Sequence, residues 1–262
     1  MKKITVIGGD NRLVIAADVL SNSGYKVKIS GLSGFQNDDS DVWLLPVPTT
    51  KDGETLFAPL SDGKIYLKDI EREAGKDRLI LTCNHSFKNN RCIDYGKLDS
   101  FCLLNAIPTA EGAISLAIEN TPFTLWGSRV LVIGYGRVGK ILAERLKGIG
   151  CRVTVSARKP SDFAMINACG YYGVNTADIK NGLDYDIIFN TVDFEVIPES
   201  AFEKCSAKLI IDLSSKGGFS IDAAKNYGIT ALKAPGIPGK TAPLTAGEIL
   251  ARTVKEIIEQ QP

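Results

Sequence analysis

The sequence predicts an α/β protein of two doubly wound parallel-sheet domains with a cleft between them, and three observations carry that prediction. Short apolar segments alternate with helical patterns along the 262-residue chain, the rhythm of βαβ units. At mid-chain the apolar run Arg129-Val-Leu-Val-Ile133 enters Gly134-Tyr135-Gly136-Arg137-Val138-Gly139, a strand leading through a glycine fingerprint into a helix. Such a fingerprint normally opens its own domain, yet about 125 residues precede it, enough for a separate unit. The expected division is therefore 1–120, an N-terminal α/β domain ending in a linking helix, and 121–262, a Rossmann domain. The last helix of the second, 244–259, can pack back on the first.

In the first half, Ile4–Ile7, Lys26–Ile29, Val42–Leu45, Leu79–Thr82 and Phe101–Leu104 read as strands. Leu13–Ser21, Leu67–Glu73 and Phe87–Leu98 read as helices between them. Gly8-Gly9-Asp10 lacks a third glycine and reads as a tight turn capped by Asp10 or Asn11. Within residues 30–64, Pro46–Gly53 looks like a long loop leaving a strand end. A linking helix is expected from Thr109 or Ala110 to Asn120, which makes Thr109 and Glu111 capping residues.

In the second half, Val138, Ile141, Leu142, Leu146 and Ile149 mark the helix after the fingerprint, and Cys151–Ser156 the next strand. A helix near Asp162–Cys169 and strands near Tyr171–Val174, Asp186–Asn190, Lys208–Leu213 and Ile229–Leu232 complete a six-stranded domain. Ala234–Pro243 is too rich in Pro and Gly for regular structure.

The fingerprint reads as a dinucleotide phosphate site. Gly134 permits the tight turn, Gly136 lets the backbone approach a pyrophosphate, and Gly139 lets the helix pack closely. Tyr135, Arg137 and Val138 share that loop, and Asn190 and Thr191 stand at a second strand end that should face the same ligand. After the second strand, an NAD site usually carries a carboxylate for the ribose hydroxyls. Ser156, Arg158 and Lys159 stand there instead, a hydroxyl and two cations suited to the 2′-phosphate of NADP.

The 31 basic and 30 acidic residues nearly cancel, so no global field favours nucleic acid or an anionic membrane. Six scattered cysteines with one histidine suggest neither zinc nor a disulfide framework. The N-terminal apolar run is too short for a signal peptide, and no uninterrupted apolar run reaches membrane-spanning length, so a cytoplasmic location is expected. Arg12, Lys216 and Lys240, with Lys51, are cations on post-strand turns that would suit a small dianionic substrate. His85 and Cys83 are weak candidates for chemistry, and catalytic residues stay unassigned.

Several segments together resemble the A subunit of bacterial dipicolinate synthase. They are Ile7-Gly-Gly-Asp10 with Arg12, Leu45-Pro46, Asn105-Ala-Ile-Pro-Thr-Ala-Glu-Gly112, the fingerprint, Asn190-Thr191, Asp212-Leu-Ser-Ser-Lys-Gly-Gly218, and Ala234-Pro-Gly-Ile-Pro-Gly-Lys-Thr-Ala-Pro243 with Thr245-Ala-Gly247. Val192-Asp193 departs from the Ile-Pro pair expected there. The resemblance implies a formate/glycerate-dehydrogenase-like fold and NADP-linked oxidation of dihydrodipicolinate to dipicolinate in the mother cell of a sporulating bacterium. It also implies a flavoprotein-like B subunit; self-association into a homo-oligomer is expected besides. Two other readings stay open: a different NADP-dependent dehydrogenase of a small carboxylate, or a non-catalytic NADP-binding subunit.

Overall fold

The computed structural model describes residues 1–31, 35, 37–88 and 91–261. Residues 32–34 and 36 of the expected loop region, 89–90 of the expected helix, and 262 lie outside the described residues. The chain divides into two compact units, Met1–Asn105 with Pro238–Pro262, and Ala106–Ile237. The boundary thus falls at 105/106 where the sequence suggested 120/121, and the C-terminal segment from Pro238 belongs to the first unit.

The first unit holds a five-stranded, all-parallel sheet: β1 (Lys3–Ile7), β2 (Lys26–Ser30), β3 (Val42–Leu44), β4 (Leu79–Thr82) and β5 (Arg91–Asp94), in the order β2-β1-β3-β4-β5. Central β3 and β4 are buried along their whole length, as strands covered on both faces must be, whereas edge strand β2 presents Lys26 and Lys28 to solvent. One face packs on α1 (Asn11–Asn22) and α8 (Pro243–Glu259), with Ile4, Val6, Leu13 and Leu20 meeting Leu250, Val254 and Ile257. The two helices lie so close that a Cβ on Gly247 would stand 2.6 Å from Ile15 Cγ2. The other face covers Ile7, Trp43 and Ile80 with Ile70 of α2 (Leu67–Ala74).

Two expectations fail in this unit. The fifth strand is β5, not Phe101–Leu104, and the residues expected as a helix over Phe87–Leu98 include it. An edge strand needs few apolar residues, so β5, with Cys92 and Ile93 alone, gives a weak signal, while a short apolar run such as Phe101–Leu104 fits strand or helix equally. That run lies inside α3 (Asp99–Glu119), which begins about ten residues before the expected start and carries Pro108 within it. By length and composition α3 could cross a membrane, but Ala106, Ala110, Ala113 and Ala117 are at most 1% exposed, as in a core helix.

The second unit holds six parallel strands in the order β11-β10-β9-β6-β7-β8: β6 (Arg129–Ile133), β7 (Arg152–Ala157), β8 (Tyr172–Asn175), β9 (Ile187–Asn190), β10 (Leu209–Asp212) and β11 (Thr230–Lys233). The helices α4 (Arg137–Gly148), α5 (Pro160–Ala168) and α6 (Ile221–Asn226) connect them. The chain winds outward from β6 through β7 and β8, then restarts at β9 on the other side of β6. The reversal leaves a crevice beyond the carboxyl ends of β6 and β9, where sheets of this kind bind ligands. The first sheet reverses in the same way between β1 and β3. Residues 234–243 are not wholly irregular: α7 (Ile237–Thr241) lies within them, with Pro238 in its first turn, where a missing N–H costs nothing.

Candidate functional site

The fingerprint occupies the β6–α4 turn at the second reversal. Gly134 has φ +97°, a left-handed backbone that glycine adopts without strain, and its N–H donates to the Ser156 carbonyl and hydroxyl, both at 3.2 Å. A Cβ on it would stand 2.6 Å from Val192 Cγ1 and 2.7 Å from Thr191 Oγ1. A Cβ on Gly139 would lie 2.1 Å from the Gly134 carbonyl oxygen, so α4 sits against the turn that launches it. Gly136 differs. It caps α4 with no side-chain hydrogen bond, no acidic residue follows in the first turn, and its Cβ would meet nothing within 4 Å. Protein packing does not require glycine there; the bare helix N-terminus leaves room and positive potential for an anion.

Around this turn, Arg137 is exposed and Val138 half-buried. Tyr135 is largely buried, its Oη donating to Cys169 Sγ at 3.8 Å and its ring beneath Lys140 Nζ at 5.1 Å. Burial, aided by Cys169, pushes its phenol up to about 12. Thr191 donates through Oγ1 to the Ile133 carbonyl at 2.8 Å and so joins the β6 and β9 ends.

The β7 end differs from the sequence reading in one respect. Arg158 and Lys159 are exposed just beyond the strand, with no acidic residue beside them in the chain. Ser156 is fully buried, its hydroxyl accepting from Gly134 N and from Thr176 Oγ1 at 3.1 Å. It braces the fingerprint turn from within, with no surface of its own exposed. Arg158 lies over the ring of Phe194, its guanidinium carbon 5.1 Å from the centroid.

Asn190 is likewise an internal brace. Fully buried, it donates from Nδ2 to Asp212 Oδ1 at 2.8 Å and to the Val192 carbonyl at 3.0 Å, and accepts from Val192 N. Asp212 is 1% exposed and also accepts from Ser214 Oγ (2.6 Å), Ser214 N (3.0 Å) and Gly218 N (3.1 Å). Gly218 is needed for this network, since its Cβ would fall 2.0 Å from Asn190 Nδ2. Nearer the surface, Asp193 accepts from Ser215 N (2.7 Å), Ser215 Oγ (2.9 Å) and Lys216 N (3.4 Å). Burial opposes its ionisation, but these hydrogen bonds outweigh it and hold the carboxyl below its ordinary value. Sequence reading placed Asp212 and Asp193 on post-strand turns without a role of their own and missed Phe194; a carboxylate ending an apolar strand in Leu-Ile-Ile-Asp212 was the available signal for the first.

Of the substrate candidates, Arg12 is committed elsewhere. It is 4% exposed; Nε donates to Asp10 Oδ1 at 2.9 Å, and Nη2 to Asp10 Oδ2 at 2.8 Å and to the Val47 carbonyl. Gly239 of α7 packs on this pair, its Cβ position 2.8 Å from both Arg12 Nε and Asp10 Oδ2. Lys216 and Lys240 are exposed, and Lys51 lies 4.0 Å from the Phe57 ring centroid. Thr109 and Glu111 fall in the middle of α3 and not at its start, so neither is an N-terminal cap; Glu111 pairs with Arg145 at 3.5 Å. Asn105–Gly112 accordingly lies wholly within α3. Burial lowers the pKa of His85, which stands edge-on to Phe87, and pushes the Cys83 thiol up to about 12, where it is no nucleophile at neutral pH. Among the described residues no group of His, Cys, Asp or Glu could hold a metal ion.

Residues 3–99 match the N-terminal domain of the dipicolinate synthase A subunit. Over 255 residues the sequence is 31% identical to the dipicolinate synthase A subunit of Bacillus subtilis, covering 86% of this chain and 85% of that protein. The crystal structure of the dipicolinate synthase A subunit from Bacillus halodurans superposes with a TM-score of 0.87 at 29% identity, covering 100% of this chain and 98% of the other. The apo-structure of D-lactate dehydrogenase from Escherichia coli superposes at 0.62 with 16% identity over 98% of this chain and 96% of the other, a likeness of fold alone.

Proposed function

The chain belongs to the family of dipicolinate synthase A subunits, and from that premise we propose that it is an NADP-dependent oxidoreductase converting dihydrodipicolinate to dipicolinate with a B subunit. We place this activity in the mother-cell cytoplasm of a sporulating bacterium. The observation that carries the cofactor half is Gly136, whose open flank and uncapped helix fit a pyrophosphate that a side chain would displace. When bound, the nicotinamide would supply a hydride acceptor. The chain's own residues bind and orient. The amides at the start of α4 hold the pyrophosphate, and the exposed cations Arg158 and Lys159 hold the 2′-phosphate by charge-assisted hydrogen bonds. Ser156, Thr191 and Asn190 act one step back, fixing the turns that these groups stand on.

Lys216 and Lys240, exposed cations each on its own unit, are proposed to include at least one contact to a substrate carboxylate. Arg12 leaves that role, because a guanidinium already forked on Asp10 has little left to offer. Forming the aromatic ring supplies much of the driving force, so no residue is assigned a dedicated proton-transfer task.

The test is a calorimetric titration of the isolated chain with NADP, followed by NADPH production from dihydrodipicolinate with and without the B subunit. NADP should bind the isolated chain, and full turnover should need both subunits. Maximal turnover without B would remove the partner from the reading. No NADPH under either condition would overturn the reaction itself.

A further inference from the structure

Phe194 stands outside every role so far assigned. The turn after β9 is pinned on both sides of it. Before it, Asp193 is tied to Ser215; after it, Val196 and Ile197 are buried and donate their amides to the Gly218 carbonyl at 2.8 and 3.3 Å. Between those anchors Phe194 is 44% exposed, yet its ring lies under the Arg158 guanidinium. The ring is no part of the buried core of its unit. It does have the electron-rich face that attracts a cation.

We infer that Phe194 is a specificity-determining positioning residue: it holds the Arg158 guanidinium at the end of β7, poised for the 2′-phosphate, and so sets the preference for NADP over NAD. The inference rests on the NADP reading above. A long arginine on an exposed turn samples many rotamers, and ordering it on binding lowers affinity; a ring that orders it beforehand removes part of that loss. The same turn also ties down a carboxylate of its own. Asp193 is hydrogen-bonded to the Ser215 and Lys216 backbone instead of standing free to repel a phosphate. The Val192-Asp193 departure from the family pattern thus falls on the turn that carries the ring.

The experiment is a double-mutant cycle read by calorimetric dissociation constants for NADP and NAD. Arg158→Ala should weaken NADP about tenfold or more and leave NAD nearly unchanged. Phe194→Leu should weaken NADP about three- to tenfold, again sparing NAD, and Phe194→Tyr should restore the wild-type ratio because it keeps the ring. In the Arg158→Ala background, Phe194→Leu should do nothing further. Three results overturn the inference while leaving the NADP reading intact: Phe194→Leu lowering both cofactors alike, acting equally with and without Arg158, or tightening NADP. The last would mean that the ring sequesters the guanidinium instead of presenting it. If Arg158→Ala itself leaves the NADP-to-NAD ratio unchanged, the reading beneath the inference fails, and the inference with it.

Discussion

The two reversals of strand order can be compared directly, because each places a glycine turn between a first strand and a first helix. In the first sheet, Gly8 and Gly9 turn the chain with φ +66° and +88°, and Asp10 then caps α1 through the Arg12 amide. The same carboxylate takes the Arg12 guanidinium, which reaches on to the Val47 carbonyl beyond β3. The helix N-terminus and the crevice beside it are therefore filled from within. In the second sheet Gly136 caps α4 with no side chain, and nothing lies within 4 Å of where its Cβ would be. One turn carries its own anion; the other leaves a place for a foreign one. Shared topology provides the crevice, and one residue at the helix cap decides whether it is closed.

The largest expected effect breaks the closed turn. Asp10→Ala leaves Arg12 buried without its partner, which should cost about 3–5 kcal/mol of unfolding free energy. It should leave NADP affinity unchanged. Asp10→Asn, which keeps a capping oxygen, separates the lost charge from the lost cap. Denaturant midpoints measure the stability and calorimetry the affinity. Weakened NADP binding with unchanged stability would mean that the Asp10–Arg12 pair faces a ligand, and the contrast between the turns would vanish.

The next effect is its mirror image. Gly136→Val should lower NADP affinity at least about a hundredfold, or about 2.7 kcal/mol, while the thermal midpoint stays near wild type, since a Cβ at this position has nothing packed within 4 Å of it. Gly139→Ala is the control for packing. Its Cβ would press on the Gly134 carbonyl at 2.1 Å, so it should cost about 1–3 kcal/mol of stability. An unstable Gly136 variant, or unchanged NADP affinity, would show that the open flank is not reserved for the cofactor.

How much of this contrast was legible in the sequence depends on how local its causes are. The β6–α4 fingerprint, the six strands of the second sheet and α8 follow from patterns within a few residues. β5 was hidden because an edge strand can be short and polar, and the start of α3 because Pro108 lies inside the helix. The role of Ser156 could not be read locally, because an amide 22 residues away settles it, whereas Arg12 is forked on Asp10 only two residues away and reaches on to a carbonyl 35 residues away. Both residue types are common at anion sites, so their identity pointed to a ligand while their partners turned them inward. The open cap at Gly136 was legible because what matters there is the absence of a side chain, and the sequence states that outright.

The smallest effect sharpens the comparison at the rim of the second reversal, where Asp193 could have supplied a competing anion but is latched to the loop after β10. Its carboxyl sits below the ordinary value of 3.8 because the Ser215 and Lys216 hydrogen bonds together outweigh the burial that opposes ionisation. A folded-state value below the unfolded one means that the latch contributes its full stability above about pH 3.8 and loses it as pH falls through the folded value. The stability difference between wild type and Asp193→Asn should therefore be constant from neutral pH to about pH 5 and shrink below about pH 4, because only the wild type has a charge to lose there. Urea midpoints of the two proteins across that range test it. The group is partly exposed, so the difference should be small. A difference that widens toward acid would reverse the sign and mean that ionised Asp193 strains the loop; the second reversal would then hold its carboxylate near the ligand crevice at a cost, instead of drawing it away.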